Sequence, residues 1–260
     1  MPEITLFTYL IVCPLIFLGG FVDSIAGGGG LITLPAYYLA GLPPSLAGGT
    51  NKLSAVAGTA VATAKYSARG LVDWKQGIAS LLGALPGAAF GAYLLTVLPD
   101  LYVRVGVILA LPLVAFLVLR NKDLSVRSAL VPVRWTLAAC FFIGLFVGVY
   151  DGLVGPGTGT FLILAYVMLL GEEALTASGT AKLVNLGSNA GALVTLILTG
   201  HVLYALALPA AVFGIAGNML GASLAIKKGA PFIRLLLLAV LGLLLVKLLV
   251  DLLPELHRFF

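Results

Sequence analysis

Two polar, glycine-rich breaks inside long apolar sequence constrain this chain more than any other feature. The first reads Asp23-Ser24-Ile25-Ala26-Gly27-Gly28-Gly29-Gly30, and the second Asp151-Gly152-Leu153-Val154-Gly155-Pro156-Gly157-Thr158-Gly159-Thr160. Each follows an apolar stretch long enough to cross a bilayer, which takes about 20 residues. Each precedes one roughly half that length. In hydrocarbon, an interrupted helix is tolerated only where its freed N–H and C=O groups face protein or a cavity. The expectation is that the two breaks face each other near the middle of a membrane transporter.

Composition supports the membrane setting. Of 260 residues, 61% are hydrophobic and 10% charged, against about 25% charged in soluble domains. Helices apolar on every face cannot all share one water-soluble core. The net charge of +5 sits between the apolar segments. It suits anionic lipid headgroups and not nucleic acid, for which a basic face would be expected. Cys13 and Cys140 lie in apolar stretches and read as buried small hydrophobes, not a disulfide. No metal-ligand spacing is present, and no cofactor is expected. The opening segment carries Glu3, no Lys or Arg and no small-residue cleavage site, so it reads as a mature helix and not a signal peptide.

In chain order, the predicted segments are 4–25, the short 31–40, 45–68, 77–98 and 101–119, then a polar connection. After it come 133–154, the short 161–170, 174–198, 203–226 and 232–253. The fold class read from this pattern is an all-α polytopic membrane protein. It has eight full spans plus two half-helices, or ten spans when counted separately. The two halves repeat. Asp23 matches Asp151 at an offset of 128, and Gly49-Thr50-Asn51-Lys52-Leu53 matches Gly179-Thr180-Ala181-Lys182-Leu183 at 130. Gly70, Trp74, Gly87 and Gly91 then fall on Gly200, Tyr204, Gly217 and Gly221. The division is 1–119 for the first repeat, 120–132 for a cytoplasmic linker and 133–260 for the second repeat. Lys and Arg crowd the loops near 65–75, 120–134 and 227–234, so the positive-inside rule puts these in the cytoplasm. Equivalent loops then fall on opposite sides, which makes the repeats inverted and places both termini outside. Glu172 and Glu173 read as a wet turn. Trp74, Trp135 and Tyr204 read as interface anchors, and the glycine faces suit packing within one chain or between copies.

Lys52 and Lys182 lie about 10 and 13 Å into their helices at 1.5 Å per residue. A lysine so deep pairs, faces a cavity or snorkels. The pair could serve a small anion, or form structural ion pairs with Asp23 or Asp151. Lys182, Asn185 and Asn189 share one helix face, and Thr50, Asn51, Lys52, Ser54 and Thr59 offer a similar but not identical set. The asparagines suit either anion binding or hydrogen bonds between helices. Gly28, Gly29 and Gly30, with Gly157 and Thr158, could present N–H and hydroxyl donors at half-helix starts, or make tight packing turns. The candidate substrate-binding residues are therefore Gly28, Gly29, Gly30, Thr50, Asn51, Lys52, Gly157, Thr158, Thr180, Lys182, Asn185 and Asn189. Asp23 and Asp151 are candidates for a structural role or for coupling to a proton or cation. No Walker sequence and no nucleophile–base pair is present, so no enzyme is expected. A channel and a non-transporting scaffold stay open beside the transporter.

These motifs resemble the TauE/SafE family, the sulfite exporter family. The resemblance rests on Asp23 to Pro35, Gly49 to Leu53 and Tyr150 to Thr160, and covers nearly the whole chain. It implies a multi-pass permease of a bacterial or archaeal inner membrane that carries sulfite, sulfoacetate, thiosulfate or related small anions. Export is implied by the resemblance alone. The second copy departs from the first at Pro156, Thr158 and Ala181, which implies an asymmetric cavity.

Overall fold

A computed structural model describes residues 4–99 and 129–240, with 242. The predicted segment 101–119, most of the linker and most of 241–253 lie outside the described residues. Nine α-helices carry the described chain: α1 (Leu6–Ala26), α2 (Gly30–Leu39), α3 (Pro44–Ser67), α4 (Trp74–Val97), α5 (Thr136–Leu153), α6 (Thr158–Ala165), α7 (Ala174–Leu198), α8 (Tyr204–Lys228) and α9 (Ala230–Val240). A 3₁₀ turn, Val133–Trp135, precedes α5, and a π turn, Tyr166–Leu170, extends α6. Among the described residues there is no β-strand.

Local chemistry explains the boundaries. Gly27 ends α1 with φ at 75°, in the left-handed region, while its N–H bonds the Asp23 carbonyl at 2.8 Å. Only glycine enters that region without steric cost. Pro44 opens α3 at its first turn, where the missing N–H has no helical partner to lose. Asp73 caps α4 by accepting the Gln76 N–H at 3.0 Å.

Five stretches are long and apolar enough to cross a membrane: Leu6–Ala26, Trp74–Val97, Val133–Leu153, Ala174–Leu198 and Tyr204–Lys228. The helix α3 is long enough but is not among them. It carries Thr50, Asn51, Lys52, Ser54, Thr59 and Thr63, and an expected full span is here a polar helix enclosed by others. The molecule is polar inside and apolar outside. Lys52, Lys182, Asp151, Asn185 and Asn189 are buried, whereas Phe7, Leu10, Phe146 and Val212 are exposed. That is the distribution lipid favours.

Small residues hold the helices together. On α4, Gly83, Gly87 and Gly91 touch the backbone of α5 at Phe141, Leu145 and Val149. Gly144, Gly148 and Gly152 on α5 return the contact to Ser80, Ala84 and Ala88. Gly217 and Gly221 on α8 meet Phe17 and Phe21 of α1 in the same way. Without a hydrophobic drive between helices in lipid, such backbone proximity supplies the dispersion contact. Thus α4 packs on α5 and α1 packs on α8. Likewise α3 packs on α8, α4 on α7, and α3 on α7.

One local expectation is corrected. The turn at Glu172 is not wet, since both of its carboxylate oxygens are buried without a hydrogen-bond partner. The end of the linker packs beside this region, with Leu130 and Val131 N–H groups on the Leu169 carbonyl at 3.0 and 3.1 Å. The two cysteines are free and buried, as expected.

Candidate functional site

The two glycine breaks meet. A Cβ at Gly27 would overlap the backbone of Gly159, and one at Gly159 would overlap Gly27. Thr160 Oγ1 donates to the Ala26 carbonyl at 2.6 Å. Gly30 faces Pro156, whose Cα would lie 3.0 Å from an added Cβ. Side chains longer than hydrogen at these positions would drive the breaks apart.

Each lysine crosses to the aspartate of the other half. Lys52 is the ninth residue of α3 and Lys182 the ninth of α7, counting 44 to 52 and 174 to 182. Lys52 Nζ lies 2.7 Å from Asp151 Oδ2, and Lys182 Nζ lies 2.8 Å from Asp23 Oδ2. Lys52 also donates to Asn189 Oδ1 at 2.9 Å. Asp151 accepts further from Ser188 Oγ at 2.7 Å and Thr158 Oγ1 at 2.8 Å. Asp23 Oδ1 takes the Gly29 N–H at 3.4 Å. Asn185 Nδ2 reaches Ser188 Oγ at 3.5 Å. Buried charges in such a place need partners of this kind.

A cavity opens beside these pairs. Its wall includes Asp23, Asn51, Lys52, Asp151, Asn185 and Asn189, with Gly29, Gly30 and Thr158 from the breaks. It offers about 50 Å³ to the centres of water-sized molecules. One water needs roughly 10–15 Å³ on that measure, so a few waters or one small oxyanion fit. A second cavity borders the same ion pair, sharing Asn51, Lys52, Asp151 and Gly155 and adding Leu34, Tyr38, Leu95 and Leu196. The Lys52–Asp151 pair therefore borders both spaces. Among the described residues no group of His, Cys, Asp and Glu could hold a metal.

The family model for Sulfite exporter TauE/SafE matches residues 12–248. The chain is 37% identical over 238 residues to "Probable membrane transporter protein ORF9" of Sinorhizobium sp, covering 90% of each. It is 37% identical over 244 residues to "Probable membrane transporter protein YfcA" of Escherichia coli K12, covering 90% of this chain and 87% of that one. A "Probable membrane transporter protein" of Haemophilus influenzae is 32% identical over 228 residues, covering 84% and 85%. No solved structure matches. The chain belongs to the TauE/SafE family. It is a multi-pass membrane transporter.

Within this TauE/SafE protein the predicted residues separate into two groups. Gly29, Gly30, Asn51, Lys52, Thr158, Asn185, Asn189, Asp23 and Asp151 line the first cavity. Gly28, Thr50, Gly157, Thr180 and Lys182 stand outside its wall. Thr50 Oγ1 accepts the Leu203 N–H at 3.1 Å, and Thr180 Oγ1 accepts the Asp73 N–H at 3.0 Å. Each hydroxyl thus ties down the loop before the fourth helix of the other half. Gly28 packs on the Val240 side chain of α9, and Gly157 caps α6 with φ at 84°. Lys182 is fully buried behind Asp23. Ser54 and Thr59, members of the polar set expected on α3, also line the cavity, whereas sequence reasoning missed Asn218 and Ser188. Asn218 donates to the Gly214 carbonyl at 3.0 Å while its Oδ1 has no partner. Its signal was a carboxamide inside an otherwise apolar helix.

Proposed function

We propose that this protein is a secondary or facilitated transporter for small anions, with sulfite and related sulfur oxyanions or organosulfonates as the substrate class. The single observation that carries this reading is the buried Lys52–Asp151 pair that lines two cavities. An entering oxyanion competes with Asp151 for the Lys52 ammonium. When Lys52 turns to the substrate, Asp151 keeps the Ser188 and Thr158 hydroxyls and is not left bare. The carboxamides of Asn51, Asn185 and Asn189 supply further donors to anion oxygens. The Lys182–Asp23 pair holds the equivalent place in the other half. The family's name, sulfite exporter, agrees with the substrate class.

The reading extends to mechanism. The helix pairings α1 with α8 and α4 with α5 exchange equivalent helices between halves, which supports two inverted repeats. Rocking one against the other, with the Lys52–Asp151 pair opening and closing and the Lys182–Asp23 pair held, gives alternating access. The small-residue contacts allow sliding at constant separation. The basic loops favour a cytoplasmic face shared by the starts of α4, α5 and α7, and hence termini outside an inner membrane.

The test is thermal stabilisation of purified protein by sulfite, thiosulfate, sulfoacetate and sulfate, followed by flux in vesicles. Lys52→Ala should abolish both. Because that change strands Asp151, the double variant Lys52→Ala with Asp151→Asn is measured beside it and should fold without binding. Unchanged anion binding by the folded double variant would defeat the assignment. Loss of stabilisation by every anion in the parent would defeat the substrate class.

A further inference from the structure

Leu42 and Glu172 hold equivalent places in the two halves. Each stands two residues before its lysine-bearing helix and ten before the lysine itself. Leu42 completes an apolar cluster with Val12, Ile16, Tyr37, Ala47, Leu206 and Ala210. In the other half, the positions matching Val12, Leu206, Ala210 and Leu42 are Cys140, Gln76, Ser80 and Glu172. Tyr166 answers Tyr37. The apolar cluster around Leu42 thus has several polar counterparts around Glu172. Packing alone does not require those groups, since the apolar version stands in the same molecule.

The polar cluster is short of partners. Ser80 Oγ, Tyr166 OH and both oxygens of Glu172 are buried without a hydrogen-bond partner. Ser80 and Tyr166 are themselves fully buried. The Cys140 thiol donates to Gln76 Oε1 at 3.8 Å. The titratable groups acting in the cluster are Asp73 ahead of α4, Cys140 on α5 and Tyr166 on the π turn. At the start of α7, Glu173 is exposed, as is Arg134 in the 3₁₀ turn before α5. Among the described residues no cation forms an ion pair with Glu172; the ion pairs are those of Lys52 and Lys182. Burial, reinforced by the Asp73 carboxylate, pushes the Glu172 carboxyl up to about 7. A buried carboxylate without a counter-ion is costly, and taking up a proton removes the cost.

We propose that Glu172, with Tyr166 and Ser80 around it, is a proton-binding site of the transport cycle. The carboxyl holds a proton while the cluster is closed and gives it to water when the cluster opens. A proton is favoured over a hard metal cation because Cys140 presents sulfur where such a cation wants oxygen. The role in the cycle rests on the transport function proposed above; the proton site itself does not.

The experiment pairs infrared titration of the purified protein with anion uptake into vesicles across pH, for the parent, Glu172→Gln and Asp73→Asn. A carboxylic-acid band that titrates near neutrality in the parent, vanishes in Glu172→Gln and titrates at lower pH in Asp73→Asn is expected. Uptake should lose its pH dependence in Glu172→Gln while anion binding at the central cavity persists. Absence of any Glu172-dependent band between about pH 5 and 8 overturns the site. A band that titrates while Glu172→Gln keeps the parent's uptake profile overturns its part in the cycle. A parent that carries no anion at any pH overturns the transport assignment and the cycle role together, while the infrared titration still decides the proton site.

Discussion

Lys52–Asp151 and Lys182–Asp23 join equivalent elements and live in different surroundings. Lys52 borders both cavities and shares Asp151 with a lattice of alternatives: Asn189 for the ammonium, and Ser188 and Thr158 for the carboxylate. Lys182 is sealed at 0% exposure, and its aspartate keeps 20% side-chain exposure toward the cavity. Either member of the first pair can be released and still find a partner. In the second pair only Asp23 touches open space, and Lys182 serves as its fixed counter-charge. On the transport reading proposed above, the first is the exchanging pair and the second the holding pair.

The largest effect should come from stranding the sealed lysine. Asp23→Ala leaves Lys182 buried and unpaired, which costs about 3–5 kcal/mol of stability. Asp151→Ala should cost less, because Lys52 retains Asn189 and the cavity. Thermal unfolding in detergent checks both; equal losses would erase the distinction between exchanging and holding pairs.

A second contrast sets a helix seam against a loop. Gly91→Val puts methyl groups into the backbone of Val149 and should cost roughly 1–3 kcal/mol by overpacking. Gly70 has nothing within 4 Å of an added Cβ, but its φ is 66°. Gly70→Ala should therefore cost about 1 kcal/mol through backbone conformation alone. If the seam tolerated valine as well as the loop tolerates alanine, close approach of α4 and α5 would not be what holds them.

Within the exchanging pair, Thr158→Ala removes one of the two hydroxyls on Asp151. About 1 kcal/mol of stability should go with it. Anion affinity should fall modestly, since Asp151 then holds Lys52 against fewer competing donors and is less satisfied when the pair opens. Unchanged affinity would show that the Thr158 hydroxyl does not support Asp151 when Lys52 leaves.

The last contrast is a slope, not a step. Glu172 has a folded pKa near 7, raised from 4.5. Between these values the folded protein binds more protons than the unfolded chain, so stability falls as pH rises. The loss should begin near pH 4.5, run to about 7 and level off above it. Glu172→Gln should flatten that part of the curve, and Leu42→Glu should create a similar slope in the half that lacks one. Unfolding curves across pH measure both.

Much of this was legible in the chain because it depends on local quantities. Apolar length shows which stretches suit lipid. The cost of a charge in hydrocarbon marks Lys52, Lys182, Asp23 and Asp151 whatever they touch. Glycine runs at 27–30 and 155–159 mark interruptions that need protein or a cavity around them. The helix α3 was harder. Its length suggested a span, while its polarity makes sense only when neighbouring helices enclose it.

What a residue faces across the molecule was not legible. Thr50 and Thr180 looked like ligands beside their lysines, and both bond loop N–H groups from the opposite half. Glu172 looked solvated because it sits in a turn beside Glu173, yet both of its carboxylate oxygens are buried, and the end of the linker bonds the π turn just before it.

The sequence by itself determined the membrane class, the repeat and the residues too costly to be idle, because length, pattern and charge act where they stand. The tertiary structure alone decided that Lys52 takes Asp151 and Lys182 takes Asp23, that only one lysine borders the cavity, and that Glu172 is buried. Those outcomes depend on which helices the small-residue contacts bring together, and contacts between positions far apart in the chain are fixed by packing and not by neighbours in the sequence.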